Sequence, residues 1–122
     1  MLKQSKNMKG SLYDDMSGPE KVVAKFLYEH NIWWIYEQPI FVLDTKDRAR
    51  LWTPDFFLPE VGIYVEVCGS DRDCYLFRKI VYKKNRIPII FVETFKDNKW
   101  AYFLIKRIKE IQVERMKMLD AF

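Results

Sequence analysis

Apolar and polar residues follow a helical period behind a short capping signal near the start of the chain. Ser17 suits an N-cap and Pro19 a first turn, and Glu20 stands three residues after Ser17, as in a capping box. The pattern predicts a first helix that ends near residues 30–31. Its expected buried face consists of Val22, Val23, Phe26 and Leu27.

The middle of the chain predicts short strands, because its apolar runs are rich in β-branched and aromatic residues. Pro39 separates the first two runs, which would form either one kinked strand or two strands of a hairpin. A charged turn at residues 45–50 leads into the third run, and the fourth stops at Gly69. The predicted strands cover residues 32–37, 40–43, 52–57 and 63–67.

After Gly69 the pattern predicts a helix, a strand and a long final helix. The continuous apolar run 88–93 is typical of a strand buried on both faces, and the final helix begins near residues 98–100 and continues to Asp120. The first of the two helices covers residues 71–85. We expect its core face to consist of Leu76, Phe77, Ile80 and Val81, opposite Tyr75, Arg78, Lys79 and Tyr82.

The final helix carries apolar residues beyond the length that a small sheet can cover. A monomer would leave the last of them in water, so we expect a homodimer. The apolar positions of this helix include Phe103, Leu104, Ile108, Ile111, Met118 and Leu119. Those expected at the dimer contact are Met116, Met118, Leu119 and Phe122.

Composition places these elements in one domain. Of 122 residues 49% are apolar, which suits a well-packed domain of residues 16–122 behind a flexible basic tail of residues 1–15. A net charge of +4 favours a polyanionic partner. No apolar run is long enough to span a membrane, so we expect a cytoplasmic protein. Two cysteines and one histidine argue against a disulfide framework and a four-ligand zinc site.

Two carboxylates fall on the strands predicted in the middle of the chain. Glu66 shares a face with Tyr64 and Cys68, and a carboxylate inside an apolar strand is costly to bury unless it is compensated. Asp55 lies on the preceding strand segment. Carboxylates on adjacent strands are a common way to hold a hard divalent cation through oxygen atoms. The alternative is a purely structural role, in which Asp55 starts a turn and Glu66 pairs with a lysine or an arginine.

These residues also carry a resemblance to a nuclease superfamily. Pro54-Asp55, ten further residues and then Glu66-Val67-Cys68 resemble the signature of the PD-(D/E)xK nucleases, with Cys68 where that family has its lysine. The resemblance covers residues 17–93 and implies a restriction-endonuclease-like αβββαβ core, a central mixed α/β sheet flanked by helices, here with an added C-terminal helix. Small Holliday-junction resolvases, the transposase endonuclease subunit and very-short-patch-repair-like nucleases are the most similar members.

The resemblance implies a Mg²⁺-dependent endonuclease that hydrolyses DNA phosphodiester bonds, on branched or mobile-element DNA, with Mn²⁺ as a substitute ion. Asp55, Glu66 and the carbonyl of Val67 would bind the metal, and Glu20 from the first helix would complete the site. Lys79 would replace the missing lysine, with Lys83 as a second candidate. The expected contacts to nucleic acid are Arg48, Arg50, Arg78 and Lys83.

Two other classes of function remain open. A nucleic-acid-binding module with a decayed site is compatible with Cys68 at the lysine position. A structural or assembly protein that dimerises through its final helix would have no catalytic role. Binding of magnesium or manganese separates the first reading from the other two, and salt-sensitive DNA affinity separates these two.

Overall fold

The computed structural model describes residues 12–71 and 73–121, and these form a mixed α/β protein. A four-stranded sheet has the order β1-β4-β5-β6, in which only the β5–β6 pair is parallel, and β2 and β3 form a separate hairpin. The predicted α/β class is therefore confirmed. The elements are α1 (Gly18–Glu29), β1 (Ile35–Tyr36), β2 (Ile40–Leu43), β3 (Ala49–Trp52), β4 (Phe56–Leu58), β5 (Ile63–Cys68), α2 (Asp73–Lys84), β6 (Ile89–Glu93) and α3 (Trp100–Asp120).

The first helix begins at the capping box that the sequence predicts. The Glu20 amide donates to Ser17 Oγ at 3.3 Å, and the Ser17 amide donates to Glu20 Oε1 at the same distance. Val23 and Leu27 are buried as expected, but Val22 is 52% exposed and its predicted place in the core is wrong. Ala24 is buried in its stead, so the buried face lies closer to Ala24 than the pattern predicted.

The β2–β3 hairpin resolves the choice that Pro39 left open. The runs on either side of Pro39 neither join into one kinked strand nor pair with each other. Instead β1 pairs with β4, and β2 pairs with β3 through a turn at residues 44–48. The predicted strand 52–57 is likewise divided, because residues 53–55 leave the hairpin and enter the main sheet without strand pairing.

Helices cover both faces of the sheet. Buried residues of α1 and α3 form one core with alternate residues of the central strands, among them Val65, Ile90 and Val92. On the other face, Val81 and Tyr82 of α2 form a smaller cluster with Val42 of the hairpin. Side chains alternate along a strand, so Glu66 and Cys68 of β5 face α2 while Val65 and Val67 face the larger core.

The rotation of α2 differs from the prediction. Tyr82 is 1% exposed, although the sequence placed it opposite the core face. Leu76, Phe77 and Ile80 are 64%, 44% and 51% exposed, so their assignment to the core is wrong. Only Val81 of the predicted face is buried. The helix therefore turns its tyrosines and Arg78 towards the sheet and a group of large apolar residues outwards.

The final helix follows its predicted bounds. Leu104, Ile108 and Ile111 are buried as expected, whereas Phe103, Met118 and Leu119 are exposed. Although α3 is the longest described helix, charged residues interrupt its apolar ones, and no helix in the described ranges could cross a membrane.

Most of the expected tail, residues 1–11, lies outside the described residues, as does Phe122. The last four residues of the expected tail form a 3-10 helix, Leu12–Asp15. The Tyr13 ring packs edge-on against Trp34, with 5.9 Å between centroids, and Met16 is buried. Tyr13 and Met16 thus pack against the rest of the domain.

Candidate functional site

A cavity of about 340 Å³ lies where the first turn of α1, the end of β5 and the first turns of α2 meet. It contains the three carboxylates that the sequence singled out, Glu20, Asp55 and Glu66, together with Arg78. The remaining lining residues are Ser17, Pro19, Val67, Gly69, Ser70 and Tyr75. The structure therefore brings together residues separated by up to 61 positions in the chain (Ser17 to Arg78).

Asp55 is held by backbone hydrogen bonds rather than by a strand of its own. It directly precedes β4, and its expected place within a strand is wrong. The Val67 amide donates to Asp55 Oδ2 at 2.7 Å, and the Glu37 amide donates to the Asp55 carbonyl at 2.9 Å. Pro54 before it is fully buried. These contacts direct the Asp55 carboxyl towards the end of β5.

Glu66 occupies the middle of β5 on the face that α2 covers. It is 3% exposed, and Arg78 Nη1 lies 3.4 Å from its Oε2. The Arg78 guanidinium also lies 5.8 Å from the centroid of the Tyr75 ring. The ion pair with Arg78 is the contact that the purely structural interpretation of Glu66 expected. It compensates one of three carboxylates in the cavity.

Asp55 and Glu66 behave as a coupled acidic pair. Burial raises the pKa of Asp55 well above its usual range, and the charge of Glu66 raises it further. Burial also raises the pKa of Glu66, although the Asp55 hydrogen bond and Arg78 oppose that shift. The physical picture is a protonated Asp55 that donates to the Glu66 carboxylate. The two carboxyl groups therefore hold a proton more readily than free carboxyl groups do, and a bound cation would favour the ionised form of both.

Glu20 is oriented by two donors that converge on one oxygen. The Tyr36 hydroxyl donates to Glu20 Oε1 at 2.7 Å, in addition to the capping bond from Ser17. Within the described ranges no donor reaches Oε2. The charge of Glu20 contributes to the raised pKa of both Asp55 and Glu66, so the capping residue belongs to the electrostatics of the site.

Gly69 allows the first turn of α1 to approach β5. A Cβ atom at this position would lie 2.8 Å from Pro19 Cγ and 3.3 Å from Pro19 Cβ. The proline ring is rigid, so any larger residue would push α1 away. The close approach of Pro19 to Gly69 places Glu20 at the cavity.

The lysine expected to replace Cys68 lies in a different cavity. Lys79 lines a neighbouring space of about 200 Å³ with Cys68 and Glu93, and its Nζ is 5.3 Å from the centroid of the Phe91 ring. Ser70 and Tyr75 line both cavities. Burial raises the pKa of Cys68 to about 12, which keeps the thiol neutral. Arg78 is therefore the cation that the structure places beside the acidic pair.

The basic residues of the hairpin surround a carboxylate that the sequence interpretation missed. Asp44 is 4% exposed and accepts from Arg48 Nε at 3.0 Å and from Arg50 Nε at 3.1 Å, besides two backbone amides. Lys84 Nζ donates to the Asp44 carbonyl and to Asp47. Hydrogen bonding holds the pKa of Asp44 well below its usual range. Asp44 lies at the end of an apolar run beside a basic turn, and this position could have indicated from the sequence that it pairs with the arginines.

Sequence reasoning also missed Tyr36, which has no motif to mark it. The tyrosine lies on edge strand β1, and only the packing of β1 beside α1 brings its hydroxyl to Glu20.

Lys83, an expected nucleic-acid contact, is exposed on the outward side of α2. It does not line the acidic cavity.

The donor set suits a divalent cation of the magnesium type. Two adjacent carboxyl groups that share a proton offer hard oxygen ligands, and magnesium retains several waters, so few protein ligands suffice. Val67, whose carbonyl is the further ligand that the resemblance implies, lines the same cavity. In the part of the chain that the structure describes, no three His, Cys, Asp or Glu side chains are grouped closely enough to hold an ion. Glu20, Asp55 and Glu66 therefore line one cavity without forming such a group.

Comparisons of the chain with protein-family models, with curated proteins and with solved structures found no match.

Proposed function

We propose that the protein is a metal-dependent endonuclease with a restriction-endonuclease-like fold, of the PD-(D/E)xK type. The observation that carries this proposal is the pair formed by half-buried Asp55 and buried Glu66, whose pKa values are both raised, in a cavity that also holds Glu20 and Arg78. Perturbed carboxyl groups that share a cleft are typical of functional sites. A purely structural ion pair would need only one carboxylate for Arg78, whereas this cavity holds three.

The order of the elements supports the same proposal. Without the β2–β3 hairpin, the chain runs α1, β1, β4, β5, α2, β6, which is the order of the αβββαβ core. The hairpin is then an insertion between the first and second core strands. Asp55 stands at the start of the second core strand and Glu66 lies within the third.

In this proposal each residue of the cavity has its own role in phosphodiester hydrolysis. Asp55 and Glu66 would hold the cation, together with the carbonyl of Val67. When bound, magnesium would neutralise phosphate charge, activate a water and stabilise the leaving oxygen. Arg78 stabilises negative charge on the phosphate, the role that a lysine in place of Cys68 would have. Glu20 orients the attacking water through Oε2 and accepts its proton.

The substrate in this proposal is DNA, bound through its phosphates. The hairpin supports this, because Asp44 engages Arg48 and Arg50 only through Nε. In the described part of the chain neither guanidinium makes a further hydrogen bond, so the terminal nitrogens of both can approach a phosphate. The two side chains are 58% and 46% exposed. A net charge of +4 favours the same partner. The expected cytoplasmic location and dimeric state belong to this proposal as well.

A second candidate is a nucleic-acid-binding module without catalysis. The ion pair between Arg78 and Glu66 favours it, because an arginine can replace a cation that a decayed site no longer binds. The neutral Cys68 thiol at the lysine position is also compatible with it. This candidate retains the hairpin arginines and loses metal binding.

The test is plasmid nicking in Mg²⁺ together with calorimetric titration of Mn²⁺. Asp55→Asn and Glu66→Gln should each abolish nicking and weaken Mn²⁺ binding at least tenfold, while a thermal melt shows a folded protein. Glu29→Gln, an equal change of charge at the exposed end of α1, should do neither. Salt-sensitive DNA binding by a parental protein that neither binds Mn²⁺ nor nicks would establish the second candidate instead.

A further inference from the structure

The outward side of α2 presents large apolar residues to solvent. Leu76, Phe77 and Ile80 are each between 44% and 64% exposed, whereas Val81 and Tyr82 on the inward side are buried. Lys83 accompanies them on the outward side. One apolar side of α2 packs in the core, and the other is left in contact with solvent unless a partner covers it.

The outer face of the hairpin is apolar as well. Phe41 is 78% exposed, and Leu51, its partner across the two strands, is 59% exposed. Leu43 on the same face is 45% exposed, while Val42 points inwards to α2. A two-stranded ribbon that packs through one face would normally have a polar outer face.

These two apolar faces adjoin. Asn85, directly after α2, donates to the Leu43 carbonyl at 2.8 Å and accepts from the Leu43 amide at 2.8 Å. The Phe77 ring lies 6.1 Å from the Trp52 ring, centroid to centroid. The hairpin therefore runs along the flank of α2, and both faces border the same seam. We name the six residues Phe41, Leu43, Leu51, Leu76, Phe77 and Ile80 the apolar seam.

The area of the apolar seam is close to what one partner buries in a stable protein interface. If a fully exposed side chain of this size presents about 200 Å², the six together leave roughly 700 Å² in water. A standard interface buries about 800 Å² per partner, and monomeric proteins rarely expose an apolar patch of this extent. The second half of α3 exposes four such residues, Val113, Met116, Met118 and Leu119, against six in the apolar seam.

Charge at the ends of α2 indicates which partner fits. Exposed Asp71 precedes the helix, and exposed Lys83 and Arg86 lie at its other end. In an antiparallel pair of α2 helices related by a two-fold axis midway between residues 78 and 79, Phe77 would lie opposite Ile80 of the partner subunit. The same axis places Asp71 opposite Arg86 of the partner subunit. A two-fold interface is self-complementary in this way.

We propose that the apolar seam is the interface of a symmetric homodimer, in which the α2 helices of two copies pack antiparallel. This dimer uses α2 and the hairpin rather than the end of α3. It does not depend on the proposed catalytic function, since none of its six residues lines the acidic cavity.

Sedimentation velocity at tens of micromolar protein tests the interface. The parental protein should sediment as a dimer, and Ile80→Glu should sediment as a monomer with an unchanged thermal melt, because Ile80 is half exposed and supports no core. The matched control is Met116→Glu, on the exposed end of α3, which should remain a dimer. A monomeric parental protein, or a dimer that only Met116→Glu disrupts, would overturn the proposal.

Charge reversal tests the antiparallel arrangement. Asp71→Arg and Arg86→Asp should each weaken the dimer about tenfold, and the double variant should restore most of the affinity. Asp is suited to position 86, whose φ of 55° lies in the left-handed region that Asp tolerates. If the double variant is no tighter than the weaker single variant, the antiparallel pairing is wrong.

Discussion

The Tyr36 hydroxyl donates a hydrogen bond of 2.7 Å to Glu20 Oε1, which ties the edge strand of the sheet to the first turn of α1. Burial and the neighbouring Glu20 carboxylate raise the pKa of Tyr36, so the phenol remains a donor at any physiological pH. The contact gives Glu20 a second tether besides its helix cap. It leaves Oε2 of Glu20 for the cavity.

Tyr36→Phe should lower the free energy of unfolding by about 1.5–3 kcal/mol, the usual loss for one hydrogen bond to a charged group. The ring itself should stay, because it packs 5.7 Å from the Phe56 ring. In a double-mutant cycle with Glu20→Gln, the losses of stability and of nicking rate should be less than additive. Tyr13→Phe, which removes a hydroxyl outside the cavity, is the control. Full additivity would mean that the two residues act separately.

The stability of the protein should fall as the pH rises from about 4 through neutrality. Burial raises the pKa of Asp55, so the folded protein binds a proton that the unfolded chain releases near pH 4. The stabilisation is complete below that pH and is lost as the folded group ionises. Asp55→Asn, which cannot ionise, should flatten this part of the profile of urea denaturation midpoint against pH. Mn²⁺ should stabilise the parental protein most at high pH, where the pair is ionised.

Arg78 and Lys79 should have separable effects although they are neighbours in the sequence. Arg78→Gln removes the cation beside Glu66 and should lower the nicking rate by a factor of about 10²–10³. Lys79→Gln alters the neighbouring cavity and should lower the rate less than tenfold. The measurement is the single-turnover rate in Mg²⁺ for both variants. The reverse order of effects would restore Lys79 as the replacement for the missing lysine.

Arg115 joins α3 to the turn between β4 and β5. Its guanidinium donates to the carbonyls of Val61 and Gly62, the second at 2.9 Å, and Gly62 has a φ of 63°. Arg115→Ala should lower the free energy of unfolding by about 1–3 kcal/mol, because two bonds to a charged group are lost. Arg107→Ala, from an exposed ion pair on the same helix, should cost less than 1 kcal/mol. Equal losses in chemical denaturation would show that the turn contributes no stability through Arg115.

Local signals in the sequence were sufficient for the helix starts and for the strand faces. The capping box at Ser17 and Glu20, the bounds of β2 and the extent of α3 all follow from residues within one or two turns of each other. The alternation along β5 likewise placed Glu66 on the face opposite Val65. In each case the determining contact joins residues that are close in the sequence, so the local pattern is sufficient to predict it.

Only the tertiary structure decided the rotation of α2 and the content of the acidic cavity. The helix has apolar residues on two sides, and its periodicity cannot say which side the sheet will bury, because Val81 and Tyr82 compete with Leu76 and Ile80. Packing against Val42 of the hairpin selected the first pair. That same rotation placed Arg78 rather than Lys79 beside Glu66, and contacts between residues 12 to 16 positions apart then completed the cavity. Such contacts depend on how whole elements pack, which no local pattern encodes.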